Sequence, residues 1–178
     1  MQIRLATPAD IEQLTALRMA YMDAEHGSLT EDQRNLMQQA IPRYMEEHLT
    51  KDLYIYIAET ETGAIASTAW LLIERKPPRP EFPTGHVGEV FNVLTLPEYR
   101  GQGLARQVMQ RLIDDATGPL GCEAVRLNAT PAGQKVYTSL GFQKREPGLR
   151  AMFYARPAHK SYETLAAVNT QIPVDCTI

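Results

Sequence analysis

The stretch from Val93 to Ala105 restricts the possible folds of this chain more than any other. Val93-Leu94-Thr95-Leu96 ends a strand-like run, Pro97 stops it, and Gly101 and Gly103 lead straight into an amphipathic segment. Leu104, Ala105, Val108, Met109, Leu112, Ile113 and Ala116 recur at three and four residues, which predicts a helix from about Gly103 to Ala116 with one apolar face. A helix that begins on glycines turns its first, unbonded N–H groups back into the loop. Glycine admits positive φ and puts no Cβ between those amides and an anion, and Arg100 adds a full positive charge. The glycines alone serve equally well as the geometry of a strand-to-helix turn. The segment lacks the Lys-Ser/Thr ending of a P-loop and the spacing of a dinucleotide fingerprint, which counts against both.

The remaining segments supply the rest of an α/β domain. Gln2 to Ala6 reads as a short strand, and Thr7-Pro8-Ala9-Asp10 opens a helix that runs to about Glu25 with Ile11, Leu14, Leu17, Arg18, Tyr21 and Met22 on its inner stripe. Thr30 to Gln33 has the form of a capping box for a second helix, whose expected buried side is Leu36, Met37, Ala40, Ile41, Tyr44, Met45 and Leu49, with a bend at Pro42. From Leu53 to Ala58 and from Ile65 to Ile73 the pattern changes to that of two antiparallel strands joined at Glu61-Thr62-Gly63. Pro77, Pro78, Pro80 and Pro83 make Lys76 to Gly85 a surface loop. A third strand follows from Glu89 to Leu96; beyond the glycine helix come a strand from Ala124 to Ala129 and a helix from Pro131 to Leu140. Phe142 to Lys144 and Arg150 to Ala155 read as a closing hairpin, and Arg156 to Ile178 as a C-terminal tail.

Composition narrows the partners. With 178 residues and 44 % hydrophobic residues, one domain over residues 1–155 is expected. A net charge of −3 argues against nucleic acid, whose binders gather Lys and Arg on one face. No secretion signal is visible at the N-terminus, and the run from Ile65 to Ile73 is far short of the ~20 residues that cross a bilayer, so a soluble, cytoplasmic protein with no membrane partner is expected. The two cysteines, Cys122 and Cys176, form no metal or disulfide pattern, and the four histidines lie far apart, so no metal is expected.

Arg100-x-x-Gly103-x-Ala105, after a strand ending in Thr95-x-Pro97, resembles the coenzyme A signature of the GNAT acetyltransferase superfamily. Tyr137-Thr138-Ser139-Leu140-Gly141-Phe142 is similar to the Tyr-x-x-x-Gly-Phe element of the same family, and the order of elements agrees from Met1 to about Ala155. The resemblance implies a GNAT-type mixed α/β fold: a mostly antiparallel sheet of six to seven strands flanked by about four helices, splayed between strands 4 and 5. It implies acetyl-CoA as the acyl donor. The backbone of Leu94, Thr95 and Leu96 would bond the pantetheine arm, and Arg100, Gly101, Gln102, Gly103, Leu104 and Ala105 would hold the pyrophosphate. One departure is plain: many members carry Asn and Ala where this chain has Thr130 and Gly133.

The chemistry implied is N-acetyl transfer by direct attack of an amine on the thioester. Such a step needs a base for the amine, a donor for the developing oxyanion and a proton for the leaving thiolate. By resemblance Tyr137 protonates the sulfur, Glu89 serves as general base and the Val93 N–H meets the thioester carbonyl; for their side chains, a core tyrosine and a solvated carboxylate are the competing readings. The two helices before the second strand would form a wall of the acceptor site. Their acidic residues, Asp23, Glu25, Glu31, Asp32, Glu46 and Glu47, either attract a cationic amine or form a solvated face, and Tyr21, Tyr44 and Trp70 either line an aromatic pocket or pack in the core. A small-molecule or amino-acid-like amine is the leading acceptor; a peptide amine and a non-catalytic acyl-CoA-binding module are the alternatives, with a nucleotide-binding protein more remote. Family members are often homodimers, and the tail offers a surface for such a partner.

Overall fold

The computed structural model describes residues 1–143. The chain begins with strand β1 (Gln2–Leu5), a single 3₁₀ turn at Pro8–Asp10, and helices α1 (Ile11–His26) and α2 (Glu31–His48). Strands β2 (Leu53–Glu59), β3 (Ile65–Arg75) and β4 (His86–Thr95) follow, then helix α3 (Leu104–Thr117), strand β5 (Ala124–Leu127) and the short helix α4 (Gln134–Ser139). The five strands form one sheet in the order β1-β2-β3-β4-β5, antiparallel throughout except for the parallel pair β4 and β5. A parallel pair needs a crossover, and α3 is that crossover.

Alternation along the strands divides the core in two. Tyr56, Ala58, Leu71 and Val90 meet Val108, Met109 and Leu112 of α3 on one face. Ile55, Ile57, Leu53 and Trp70 meet Leu14 and Leu17 of α1 and Met45 of α2 on the other. The helix expected from Gly103 is present, and Leu104, Val108, Met109, Leu112 and Ala116 of its stripe are buried.

Local chemistry sets the ends of the helices. Thr30 Oγ1 accepts from the Gln33 N–H at 3.3 Å while Gln33 Oε1 accepts from the Thr30 N–H at 3.0 Å, the reciprocal cap that opens α2. At the start of α1, Asp10 is buried and accepts from the Thr7 N–H at 2.7 Å. The Arg4 guanidinium donates to both Asp10 oxygens at 2.8 Å and to Glu59, so one side chain ties β1, β2 and the first turn together. The hydrogen bonds from Arg4 pull the Asp10 carboxyl down to about 2, against the opposing effect of burial.

Three expectations need correction. The sheet has five strands among the described residues, not six to seven: Phe142 and Gln143 are not in a strand, and the rest of the expected closing hairpin, the domain end at Ala155 and the tail lie outside the described residues. The stripe along α2 is only partly covered, since Met45 and Leu49 are buried but Leu36 is 59 % exposed and Tyr44 37 %. Periodicity defines a face and says nothing about what lies against it. The last helix is shorter than expected: residues 131–133 form a turn in which Thr130 Oγ1 accepts from the Gly133 N–H at 3.2 Å, and the α-helical bonds begin only at Gln134.

Candidate active site

The sheet opens where its parallel pair ends. β4 and β5 are paired from Val87 with Ala124 to Val90 with Leu127, after which β5 stops and β4 continues to Thr95 without a strand partner on that side among the described residues. The pairing of the fourth and fifth strands thus ends at Val90 and Leu127, where the splay was expected. Beyond the free end of β4 a 3₁₀ turn at Pro97–Tyr99 leads into the glycine loop, where Gly101 has φ +76° and Gly103 +73°. Neither glycine is needed for internal room: a Cβ on Gly101 would meet nothing within 4 Å, and one on Gly103 only Gln107 Nε2 at 4.0 Å. The loop is left-handed at two points and open on its outer side.

The amides of that loop are available. Gln107 N–H is the first to bond, to Gly103 O at 3.1 Å; those of Gly101, Gln102, Gly103, Leu104 and Ala105 have no backbone acceptor among the described residues. A cluster of free N–H groups at the positive end of a 14-residue helix suits a phosphate group. Arg100 lies beside it but folds back, with Nε donating to the Thr95 carbonyl at 3.1 Å. Of the three residues expected to face the pantetheine arm, Leu96 already uses its N–H on Ala66 O and its carbonyl on the Tyr99 N–H. The Leu94 carbonyl accepts from Ser67 Oγ at 3.0 Å.

Within that free stretch, β4 carries a bulge. Thr68 pairs with Leu94 and Trp70 with Phe91, so Asn92 and Val93 together oppose Ala69. Asn92 takes up the irregularity, with φ +51° and 1 % exposure. Its Oδ1 accepts from Arg18 Nη1 at 3.0 Å. The Arg18 guanidinium stands 5.5 Å from the Tyr21 ring centre and 5.9 Å from those of Trp70 and Phe91. Arg18, Ala40, Ile41, Tyr44, Trp70 and Phe91 line a cleft of ≈ 310 Å³ between α1, α2 and the sheet.

The expected acid and base stand in different surroundings. Tyr137, in α4, packs edge-on against Phe142 at 6.0 Å, and burial raises its phenol above the ordinary value. The hydroxyl makes no hydrogen bond to a described residue. The ring lies back over Gly133, where an added Cβ would come within 2.7 Å of Cε2, which explains why glycine stands there. Glu89 lies two residues before Phe91 on β4, opposite Arg126 of β5, whose Nη2 donates to it at 2.8 Å and to Glu74 at 3.0 Å. Burial opposes ionisation of Glu74, but its pairing with Lys76 and the charge of Arg126 hold its carboxyl below the usual glutamate range. Glu89 is thus one member of an ion-pair cluster rather than a lone carboxylate at a strand end.

A model of the acetyltransferase (GNAT) family matches residues 13–142. The chain belongs to the GNAT acetyltransferase family. Among curated relatives, it is 36 % identical over 98 residues to glucosamine 6-phosphate N-acetyltransferase 1 of Oryza sativa subsp. japonica, a match over 54 % of this chain and 57 % of that one. The chain thus spans little more than half the length of that rice relative. It is 28 % identical over 120 residues to the Arabidopsis thaliana glucosamine 6-phosphate N-acetyltransferase, covering 67 % of this chain and 74 % of that one. Among solved structures, a predicted acetyltransferase of Clostridium acetobutylicum with acetyl-CoA superposes with a TM-score of 0.73 at 28 % identity, over 85 % of this chain and 95 % of that one. The structure of the Arabidopsis enzyme superposes with a TM-score of 0.64 at 23 % identity, over 86 % and 98 %, a likeness of fold.

In this GNAT domain the glycine loop, the bulge at Val93 and the splay follow one another along β4 and its exit. Among the described residues no helix is long and apolar enough to cross a membrane, and no group of three or more His, Cys, Asp or Glu is gathered as a metal would require. Two residues beside the cleft, Arg18 and Asn92, do not stand out in the sequence as candidates for a site. Arg18 falls within the apolar stripe of α1, and a charge inside such a stripe is the available signal. Asn92 interrupts a strand-forming run, and Asn is depleted in strands unless the backbone departs from them.

Proposed function

We propose that this GNAT enzyme moves the acetyl group of acetyl-CoA directly onto the amine of a small acceptor. One observation carries the reading: the parallel pair separates between a cluster of free helix-start amides on one side and an aromatic cleft abutting the bulge on the other. Acetyl-CoA brings an acyl group already activated as a thioester, so the protein's residues have to bind, orient and handle two protons.

The amides from Gly101 to Ala105 hold the pyrophosphate, with Arg100 contributing charge, and the end of β4 at Leu94 and Thr95 guides the pantetheine arm, while Leu96 just beyond it is already bonded to Ala66 and Tyr99. The Val93 N–H donates to the carbonyl oxygen as negative charge develops on it. Glu89 accepts the proton of the attacking amine, directly or through water, and Tyr137 supplies a proton to the departing sulfur. The desolvation that keeps the Tyr137 phenol protonated suits that second role. Arg126 orients the Glu89 carboxylate from 2.8 Å.

The cleft of ≈ 310 Å³ with Trp70 and Phe91 in its lining has room for a small amine acceptor. The amino-sugar phosphate named for the rice and Arabidopsis relatives makes glucosamine 6-phosphate the first acceptor to try. Titration calorimetry with acetyl-CoA and a free-thiol assay over a panel of amines test the proposal together. Association with acetyl-CoA and thiol release with a small amine are expected; absence of association would end the reading.

A further inference from the structure

The side chain of Asn92 is the least explained group near the bulge. It is 1 % exposed, its backbone is left-handed at φ +51°, and its Nδ2 is a buried donor with no acceptor among the described residues. Left-handed backbone is supplied most readily by glycine, and a buried unsatisfied amide is destabilising. Both features point to a use for the carboxamide beyond packing.

Arg18 defines how that carboxamide is turned. A guanidinium only donates, so the atom facing Arg18 Nη1 at 3.0 Å has to be Oδ1, and Nδ2 is turned away from it. Arg18 in turn lines the cleft beside Trp70 and Phe91, while the residue after Asn92 is Val93, whose N–H lies within the bulge. A continuous line runs from the cleft through Arg18 and Asn92 to the backbone amide of Val93.

Resting on the function proposed above, we infer that Asn92 is a positioning residue: its carboxamide, gripped by Arg18, holds the bulge in the shape that presents the Val93 N–H and ties that shape to the acceptor cleft. The bulge needs positive φ, and the bond to Arg18 selects one arrangement among those that positive φ allows. Asn92→Gly separates these two contributions, because it keeps the backbone freedom and removes the tether. Asn92→Asp keeps an oxygen facing Arg18 and so restores the tether.

The test uses acetyl-CoA labelled with ¹³C at the thioester carbonyl, bound to the full chain and followed by difference infrared spectroscopy, with affinity from calorimetry. In the wild-type protein the bound carbonyl stretch is expected at lower frequency than in water, the mark of a stronger hydrogen bond from Val93. Asn92→Gly should bind acetyl-CoA with an affinity changed by no more than about threefold, since the phosphate amides are untouched, and should lose the shift. Asn92→Asp should recover most of it, and Arg18→Met should lose it as Asn92→Gly does. A shift that persists in Asn92→Gly, or fails to return in Asn92→Asp, would overturn the inference while leaving the proposed function intact. A wild-type carbonyl with no shift would remove the role of Val93 itself and the inference with it.

Discussion

Replacing Gly103 by alanine separates backbone strain from ligand contact. Gly101, Gly103 and Gly63 have φ of +76°, +73° and +82°, and an added Cβ at Gly101 or Gly63 meets no atom within 4 Å. At Gly103 it meets only Gln107 Nε2 at 4.0 Å, an ordinary contact. Alanine at each of the three therefore costs about 1–2 kcal/mol from left-handed backbone alone. In a chain of this size that lowers the unfolding midpoint by roughly 2–8 °C, and by a similar amount at all three positions.

The strain is present with and without coenzyme, so it largely cancels in a dissociation constant. On the proposed function, what remains at Gly103 is a new methyl group beside the amides that would hold the pyrophosphate. Loss of one charge-assisted hydrogen bond, about 1.5–3 kcal/mol, weakens acetyl-CoA binding roughly 10- to 150-fold. Gly63, in the turn between β2 and β3, is the control for strain without ligand contact. Calorimetry with acetyl-CoA and thermal unfolding on Gly103→Ala, Gly101→Ala and Gly63→Ala give both quantities. Equal acetyl-CoA affinity in Gly103→Ala and Gly63→Ala would refute the assignment of the pyrophosphate to this loop.

Three further outcomes are expected. Tyr137→Phe removes a hydroxyl that has no hydrogen-bond partner among the described residues, so the unfolding midpoint should hardly move while turnover falls roughly 10²- to 10⁴-fold in the free-thiol assay. Because burial raises the Tyr137 phenol above 10.0, any loss of wild-type rate below that pH belongs to another group. Glu89→Gln leaves Arg126 paired with Glu74 at 3.0 Å and should lower turnover by a similar factor with acetyl-CoA affinity unchanged; normal turnover would pass the base's role to another group. Asp10 has a folded value of about 2 against 3.8 for the free group, so its stabilisation is complete above the unfolded value and disappears as the pH falls through the folded one. Denaturant unfolding between pH 5 and pH 2 should show the wild type losing about 2 kcal/mol that Asp10→Asn lacks throughout, the two curves converging in acid.

What lies close together in the chain could be read from the chain. The glycine loop, the stripe from Leu104 to Ala116, the cap at Thr30 and the antiparallel hairpin at Gly63 follow from hydrogen bonds and side-chain contacts a few residues apart, which spacing alone reveals. The family likeness came from the same local segment with Tyr137, and the splay it implied is where β5 ends at Leu127 and β4 runs on.

Pairings between distant residues depended on the tertiary structure. Arg18 meets Asn92 across 74 positions and Arg126 meets Glu89 across 37, and neither separation leaves a periodic trace. Leu36 and Met45 belong to the same expected face of α2, yet one is 59 % exposed and the other buried, because burial depends on the element opposite. The bulge at Asn92 is likewise a property of the pair: two residues stand against Ala69 only once β3 and β4 have chosen their register. Local periodicity specifies which segments become helix or strand, but the registry and packing of one segment on another are set by long-range contacts, and it is these that bring the cleft beside Arg18 to the bulge at Asn92.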